Sequence, residues 1–74
     1  MSDAWSMYVL ECIDGSFYCG VTNNIKRRVY QHNQGKGAKY TRGRAPVEII
    51  HCENHENRSK AQIAEAAFKK LTRK

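Results

Sequence analysis

Acidic residues are missing from the whole middle of this 74-residue chain: none stands between Gly15 and Val47. The seven basic residues of that stretch therefore have no local counter-charge. Long apolar runs are missing as well, since nothing approaches the ~20 residues of a membrane span. Met1-Ser2-Asp3-Ala4-Trp5 also lacks the basic start and apolar core of a secretory signal, so a cytoplasmic protein with no membrane partner is expected. Paired cysteine spacing is the third absence. Cys12, Cys19 and Cys52 are odd in number and contain no Cys-x-x-Cys, which excludes a disulfide framework and points to reduced thiols filling a core. His51, Cys52 and His55 lack the fourth ligand and the paired spacing of a zinc site.

What is present begins with charge. The net charge is +6, and Lys26, Arg27, Arg28, Lys36, Lys39, Arg42 and Arg44 supply the excess, because six basic and seven acidic residues share the rest of the chain. A one-sided basic region of this kind is the footprint of a polyanion, nucleic acid before membrane. A merely solvated basic surface is the plain alternative. The length sets one domain over residues 1–74 with a small core, since a chain of this size buries only ~60% of its unfolded surface.

Met7 to Ile13 and Ser16 to Thr22 read as two strands around Asp14-Gly15. A two-residue loop would send Tyr8 and Tyr18 to opposite faces. A three-residue loop, Ile13-Asp14-Gly15, sets Cys12 opposite Ser16 and Tyr8 opposite Gly20, and it uses Gly15 where a left-handed residue is needed. This second register is expected because it sorts polarity. Tyr8, Leu10, Cys12, Ser16, Tyr18, Gly20 and Thr22 share one face, while Met7, Val9, Glu11, Ile13, Phe17, Cys19 and Val21 form the other and the better core. Gly20 would leave the Tyr8 ring open to a ligand or backbone. Both tyrosines could still be ordinary strand residues.

Thr22-Asn23-Asn24 offers a cap for a helix from Ile25 to Asn33 that stops near Gly35. Its inward stripe is Ile25, Arg28, Val29 and His32, so a guanidinium and an imidazole share the face that packs on the sheet. Arg28 needs an anionic partner there or must snorkel. The basic loop that follows, with Lys36, Lys39, Tyr40, Arg42 and Arg44, suits backbone binding without sequence readout. Pro46 then opens a third strand, Val47 to Cys52.

A capping box at Ser59-Lys60-Ala61-Gln62 predicts a last helix from Ser59 to about Leu71, with Ala61, Ala64, Phe68 and Leu71 inward. Glu65 lies in or beside that stripe. An inward carboxylate in a basic protein fits either a salt bridge to Arg28 or a hard divalent cation held with waters and a substrate phosphate.

Tyr8, Tyr18, Arg28, His32 and Glu65, taken in order, make the chain resemble the GIY-YIG nuclease superfamily, in particular its small stand-alone bacterial members. Ser6-Met7-Tyr8 keeps only the tyrosine of the first motif, and Tyr18-Cys19-Gly20 keeps the second with Cys for Ile. Arg28 and His32 follow Tyr18 by ten and fourteen residues, the spacing of that superfamily. The segments Asp14-Gly15-Ser16, Lys36 to Gly43 and Pro46-Val47-Glu48 resemble the stand-alone subgroup.

The resemblance implies an α+β fold, a three-stranded antiparallel sheet flanked by helices, with the reacting groups on one concave face. It implies hydrolysis of phosphodiester bonds by water, in DNA ahead of RNA, with one divalent cation, Mg²⁺ or Mn²⁺, and a role in DNA repair or recombination. Tyr8, with Tyr18, would orient or deprotonate the water, provided nearby cations lower its pKa. Arg28 would stabilise charge on the phosphoryl oxygens, Glu65 would hold the metal, and His32 would relay a proton. Arg27, Lys36, Lys39, Tyr40, Arg42 and Arg44 would bind the nucleic acid, and the protein would act as a monomer. A non-catalytic nucleic-acid-binding module on the same fold is the rival expectation.

Overall fold

The computed structural model describes residues 4–72. In chain order the elements are β1 (Trp5–Glu11), β2 (Phe17–Thr22), α1 (Ile25–Asn33), a single 3₁₀ turn over Lys39–Thr41, β3 (Glu48–His55) and α2 (Arg58–Thr72). The sheet is antiparallel throughout, in the order β2-β1-β3.

The hairpin adopts the expected register. Tyr8 pairs with Gly20 and Leu10 with Tyr18, while Cys12 N–H donates to Ser16 O at 2.8 Å and Gly15 takes φ +83°. Both tyrosines therefore lie on one face. Asp14 closes the turn by accepting from the Ser16 N–H and hydroxyl, and these bonds hold its carboxyl down at about 2.

The expectation of one better core face needs correction. Met7, Tyr8, Val9 and Leu10 are all buried in succession, because β1 is central and is covered on both sides. Tyr8, Leu10, Cys12 and Val47 pack with Ile25 and Val29 of α1 on one face. On the other, Met7, Val9 and Cys19 pack with Ala64 and Phe68 of α2. Each such large apolar side chain contributes about 1.5–3 kcal/mol by leaving water. Two assigned members of the second face stay out: Ile13 is exposed in the turn and Phe17 is 52% exposed.

The bounds of β3 and α2 move. β3 runs on to His55 because its outer part needs only backbone partners on β1, with Ser6 Oγ donating to Asn54 Oδ1 at 2.9 Å. It is an edge strand, bulged where Val9 pairs with His51 and Leu10 with Ile49. α2 starts at Arg58, capped by Asn57, whose Oδ1 accepts from Lys60 N–H at 2.9 Å, so Ser59 is inside the helix. Leu71, 84% exposed, lies past the sheet and is no part of the core. Cys12 and Cys19 are buried free thiols as expected, but Cys52 is exposed on β3. His51 and His55 both reach Glu53, at 2.8 and 3.1 Å.

Candidate active site

α1 is what turns His32 inward. Asn24 caps its start by accepting from Arg27 N–H at 3.1 Å. Its end is fixed by Gly35 at φ +75°, with Gly35 N–H donating to His32 O at 3.1 Å and Lys36 N–H to Gln31 O at 2.9 Å. His32 is 0% exposed. Its Nε2 lies 3.0 Å from Tyr8 Oη, and its Nδ1 lies 2.7 Å from Thr41 Oγ1. The Thr41 hydroxyl in turn donates to Ala38 O at 3.0 Å. This assigns the tautomer from the network: Nδ1–H donates to Thr41, and Nε2 accepts the Tyr8 proton. The Ala38 N–H, 3.4 Å from Nδ1, would donate only to the opposite tautomer, and its greater length places it second to the Thr41 contact.

Burial, with Arg28 nearby adding to it, pushes His32 down to about 4, so the ring is neutral at pH 7. Between about 4 and the ordinary 6.5, the unfolded chain binds a proton that the native chain does not, so stability falls as pH drops through that window. Full passage across it costs about 3 kcal/mol at ~1.4 kcal/mol per pH unit. Chemical denaturation at pH 7 and pH 4 should show this loss in the wild type and its absence in His32→Gln.

Tyr8 departs from expectation in its acidity. Burial raises it to about 12, and the Arg28 guanidinium beside it only partly offsets that rise. Tyr8 therefore keeps its proton at any working pH. Gly20 departs too. A side chain there would stand 2.7 Å from Tyr8 Oη and 3.1 Å from Tyr18 Cε2, so the space is filled by the tyrosines themselves and is not an opening for a ligand. Gly37 serves the same purpose at the other ring: a Cβ there would overlap His32 Nδ1, so the loop backbone lies directly on the imidazole.

Tyr18 is half-exposed at the mouth of this cluster. Its ring centroid is 5.2 Å from that of His32, 6.4 Å from Tyr8 and 5.9 Å from Tyr40, the last pair stacked. Arg28 is half-buried and donates to Gln31 Oε1 at 3.2 Å, and it forms no ion pair with Glu65 among the described residues.

Glu65 comes from the other side of the sheet. It sits on α2, beside the Cys19 thiol, whose pKa rises to about 11 chiefly by burial and then by the Glu65 charge. Its carboxylate is 22% exposed and pairs with Lys69 at 3.0 Å. Lys69 lines a cleft of about 260 Å³ at the β2 edge together with Tyr18, Tyr40 and Phe68, so the two sides of the sheet meet there. The described residues hold no group of three or more His, Cys, Asp or Glu side chains able to cage a metal. A single carboxylate fits only an ion shared with water and a substrate phosphate.

The six expected nucleic-acid contacts separate. Arg27, Lys36, Lys39 and Arg42 are exposed. Arg44 is engaged internally, with Nε 3.0 Å from Asp14 Oδ2 and its guanidinium 4.3 Å from the Tyr40 ring centroid, which braces the loop against the hairpin turn. Tyr40 stacks on Tyr18. Sequence reasoning missed Thr41, because a loop hydroxyl nine residues past a helical histidine has no periodicity to mark it. It missed Lys69 as well, although the i,i+4 spacing from Glu65 signals that pair.

Comparison with known proteins agrees with the residue pattern. Residues 4–74 match the model of the GIY-YIG catalytic domain. A UPF0213 protein of Enterococcus faecalis is 62% identical over 69 residues, which span 90% of this chain and 78% of the relative. One from Bacillus cereus is 55% identical over 67 residues, 90% of this chain and 70% of the relative. Two solution NMR structures share the fold: a protein of E. faecalis (TM-score 0.63, 56% identity, 100% of this chain and 81% of the other) and the UPF0213 protein of Bacillus halodurans (TM-score 0.57, 41% identity, 95% and 74%). The chain therefore belongs to the GIY-YIG family, whose members are generally nucleases.

Proposed function

We propose that this protein is a divalent-metal-dependent endonuclease that hydrolyses phosphodiester bonds, in DNA ahead of RNA, with Tyr18 as the residue that meets the attacking water. The observation that carries this reading is the half-exposed Tyr18 ring at the mouth of the buried Tyr8, His32 and Thr41 chain. Tyr8 is 1% exposed and keeps its proton, so it serves as a fixed support behind Tyr18 rather than as a free base. Neutral His32 accepts a hydrogen bond from the Tyr8 hydroxyl through Nε2 and so fixes the Tyr8 ring behind Tyr18. Arg28 binds the phosphoryl oxygens, where its planar donors match the charge that develops. Glu65 would hold the Mg²⁺ or Mn²⁺, releasing Lys69, and the bound ion supplies charge neutralisation at the phosphate.

The direct test is cleavage of a labelled panel of duplex, branched and single-stranded DNA and RNA with Mn²⁺, comparing wild type with Tyr18→Phe. Loss of the hydroxyl alone should slow cutting by about 10²–10⁴-fold. Undiminished cutting by that variant would remove Tyr18 from the chemistry. The Glu65 and Lys69 pair favours one second reading, a binding module without catalysis. That reading expects salt-sensitive binding to the same panel and no product with any metal.

A further inference from the structure

A second cleft, of about 410 Å³, opens where the start of β1, the end of β2 and the first turns of α1 and α2 meet. Arg27, Arg28 and Arg58 converge on it, with Gln31 and Trp5 completing the wall. No acidic side chain lines it, and none of the three arginines forms an ion pair among the described residues. The Arg58 guanidinium rests 5.3 Å from the centroid of the Trp5 ring, which holds it towards the cleft without neutralising it. Guanidinium groups gathered from two helices repel one another and lose hydration in a concavity, and an anion that bridges them removes both costs. Planar forks of this kind fit phosphate oxygens two at a time, so three arginines match more than one phosphate. Arg28 lines this cleft and also stands beside Tyr8, so the cleft leads into the proposed reaction site.

We infer that this cleft seats the backbone phosphates of the nucleic-acid strand flanking the cut, with Arg28 at the junction between seat and reacting phosphate. The inference rests on the nuclease reading and adds Arg58 and Trp5 to its substrate-binding surface. Contact here is to the backbone, so it contributes affinity and register but no sequence preference.

Trp5 is the only tryptophan of the chain, so its emission reports on this cleft alone. The full chain, without metal so that nothing is cut, is titrated with single-stranded and duplex oligonucleotides while Trp5 fluorescence and oligonucleotide anisotropy are followed. Binding by anisotropy should change Trp5 emission at the same midpoint. Arg58→Gln should weaken binding about tenfold. It should also flatten the dependence of log K on log salt by about 0.7–0.9. Arg58→Lys should restore the salt slope but not all the affinity, and Lys70→Gln on the exposed side of α2 should leave both as in wild type. Inorganic phosphate and a mononucleotide should leave Trp5 unchanged where the oligonucleotide saturates; saturation by either would make the cleft a small-anion pocket and overturn the inference. Unaltered Trp5 emission on binding, or an unaltered salt slope in Arg58→Gln, would overturn it too. With Mn²⁺ present, Arg58→Gln should raise KM and leave kcat unchanged. If the wild type binds through Trp5 and Arg58 yet cuts nothing, the cleft stands and the catalytic reading fails.

Discussion

Glu65→Gln is expected to abolish metal-dependent cutting, by about 10³-fold or more, while leaving the fold intact. The size follows from charge: the amide keeps shape and hydrogen bonding but no longer attracts a cation, and no group of three or more His, Cys, Asp or Glu side chains among the described residues could hold one in its place. The intact fold follows from exposure. The ion pair with Lys69 is an i,i+4 surface pair, with the Lys69 side chain 58% exposed, and such pairs are worth about 0.3–0.5 kcal/mol. At ~4–8 °C per kcal/mol for a chain of this size, the melting temperature should move by only a few degrees. Cleavage of a labelled substrate with Mn²⁺, beside a thermal melt, checks both claims. Cutting that survives in Glu65→Gln would leave the metal without a protein ligand and defeat the one-metal mechanism. Cutting that disappears together with the fold would instead make Glu65 a structural residue.

His32→Ala should be strongly destabilising. The imidazole is fully buried and bonded at both nitrogens, so its removal leaves a cavity and strands the Tyr8 hydroxyl. Loss of a buried ring costs about 3–5 kcal/mol. A chain of this length has only ~4–11 kcal/mol in total. The melting temperature should fall by ~15–30 °C. His32→Gln, which can still offer an oxygen towards Tyr8, should lose less. Urea unfolding of both variants measures the difference, and equal stability of His32→Ala and wild type would mean that the buried network contributes nothing to the fold.

The contrast between these two residues explains what the sequence could and could not disclose. Arg28 and His32 were legible because a helix has one period, and two polar side chains on its inward stripe stand out against Ile25 and Val29. The hairpin register was legible through Gly15, since only one loop length uses a left-handed residue there. The acidity of Tyr8 was not legible. It depends on how completely the ring is enclosed, and enclosure is set by α1, remote in the chain, and by the close approach of Gly20 on β2. The two-sided core was missed for a related reason: alternation along β1 is hidden when both faces are covered, so Met7 to Leu10 read as a continuous apolar run. The start of α2 went astray because Asn57 and Ser59 are both good caps and only the backbone decides between them.

The Schellman end of α1 and the loop resting on His32 also bear on how quickly the protein can engage a substrate. Tyr8, His32, Thr41 and Ala38 are already bonded in the free protein, so no segment of this cluster has to fold or swing into place before a phosphate arrives. Association then lacks a slow conformational step and should be governed by diffusion and charge steering. Its rate constant should fall steeply with added salt. Dissociation should carry most of the discrimination among substrates, so residence time is the quantity by which good and poor nucleic acids differ.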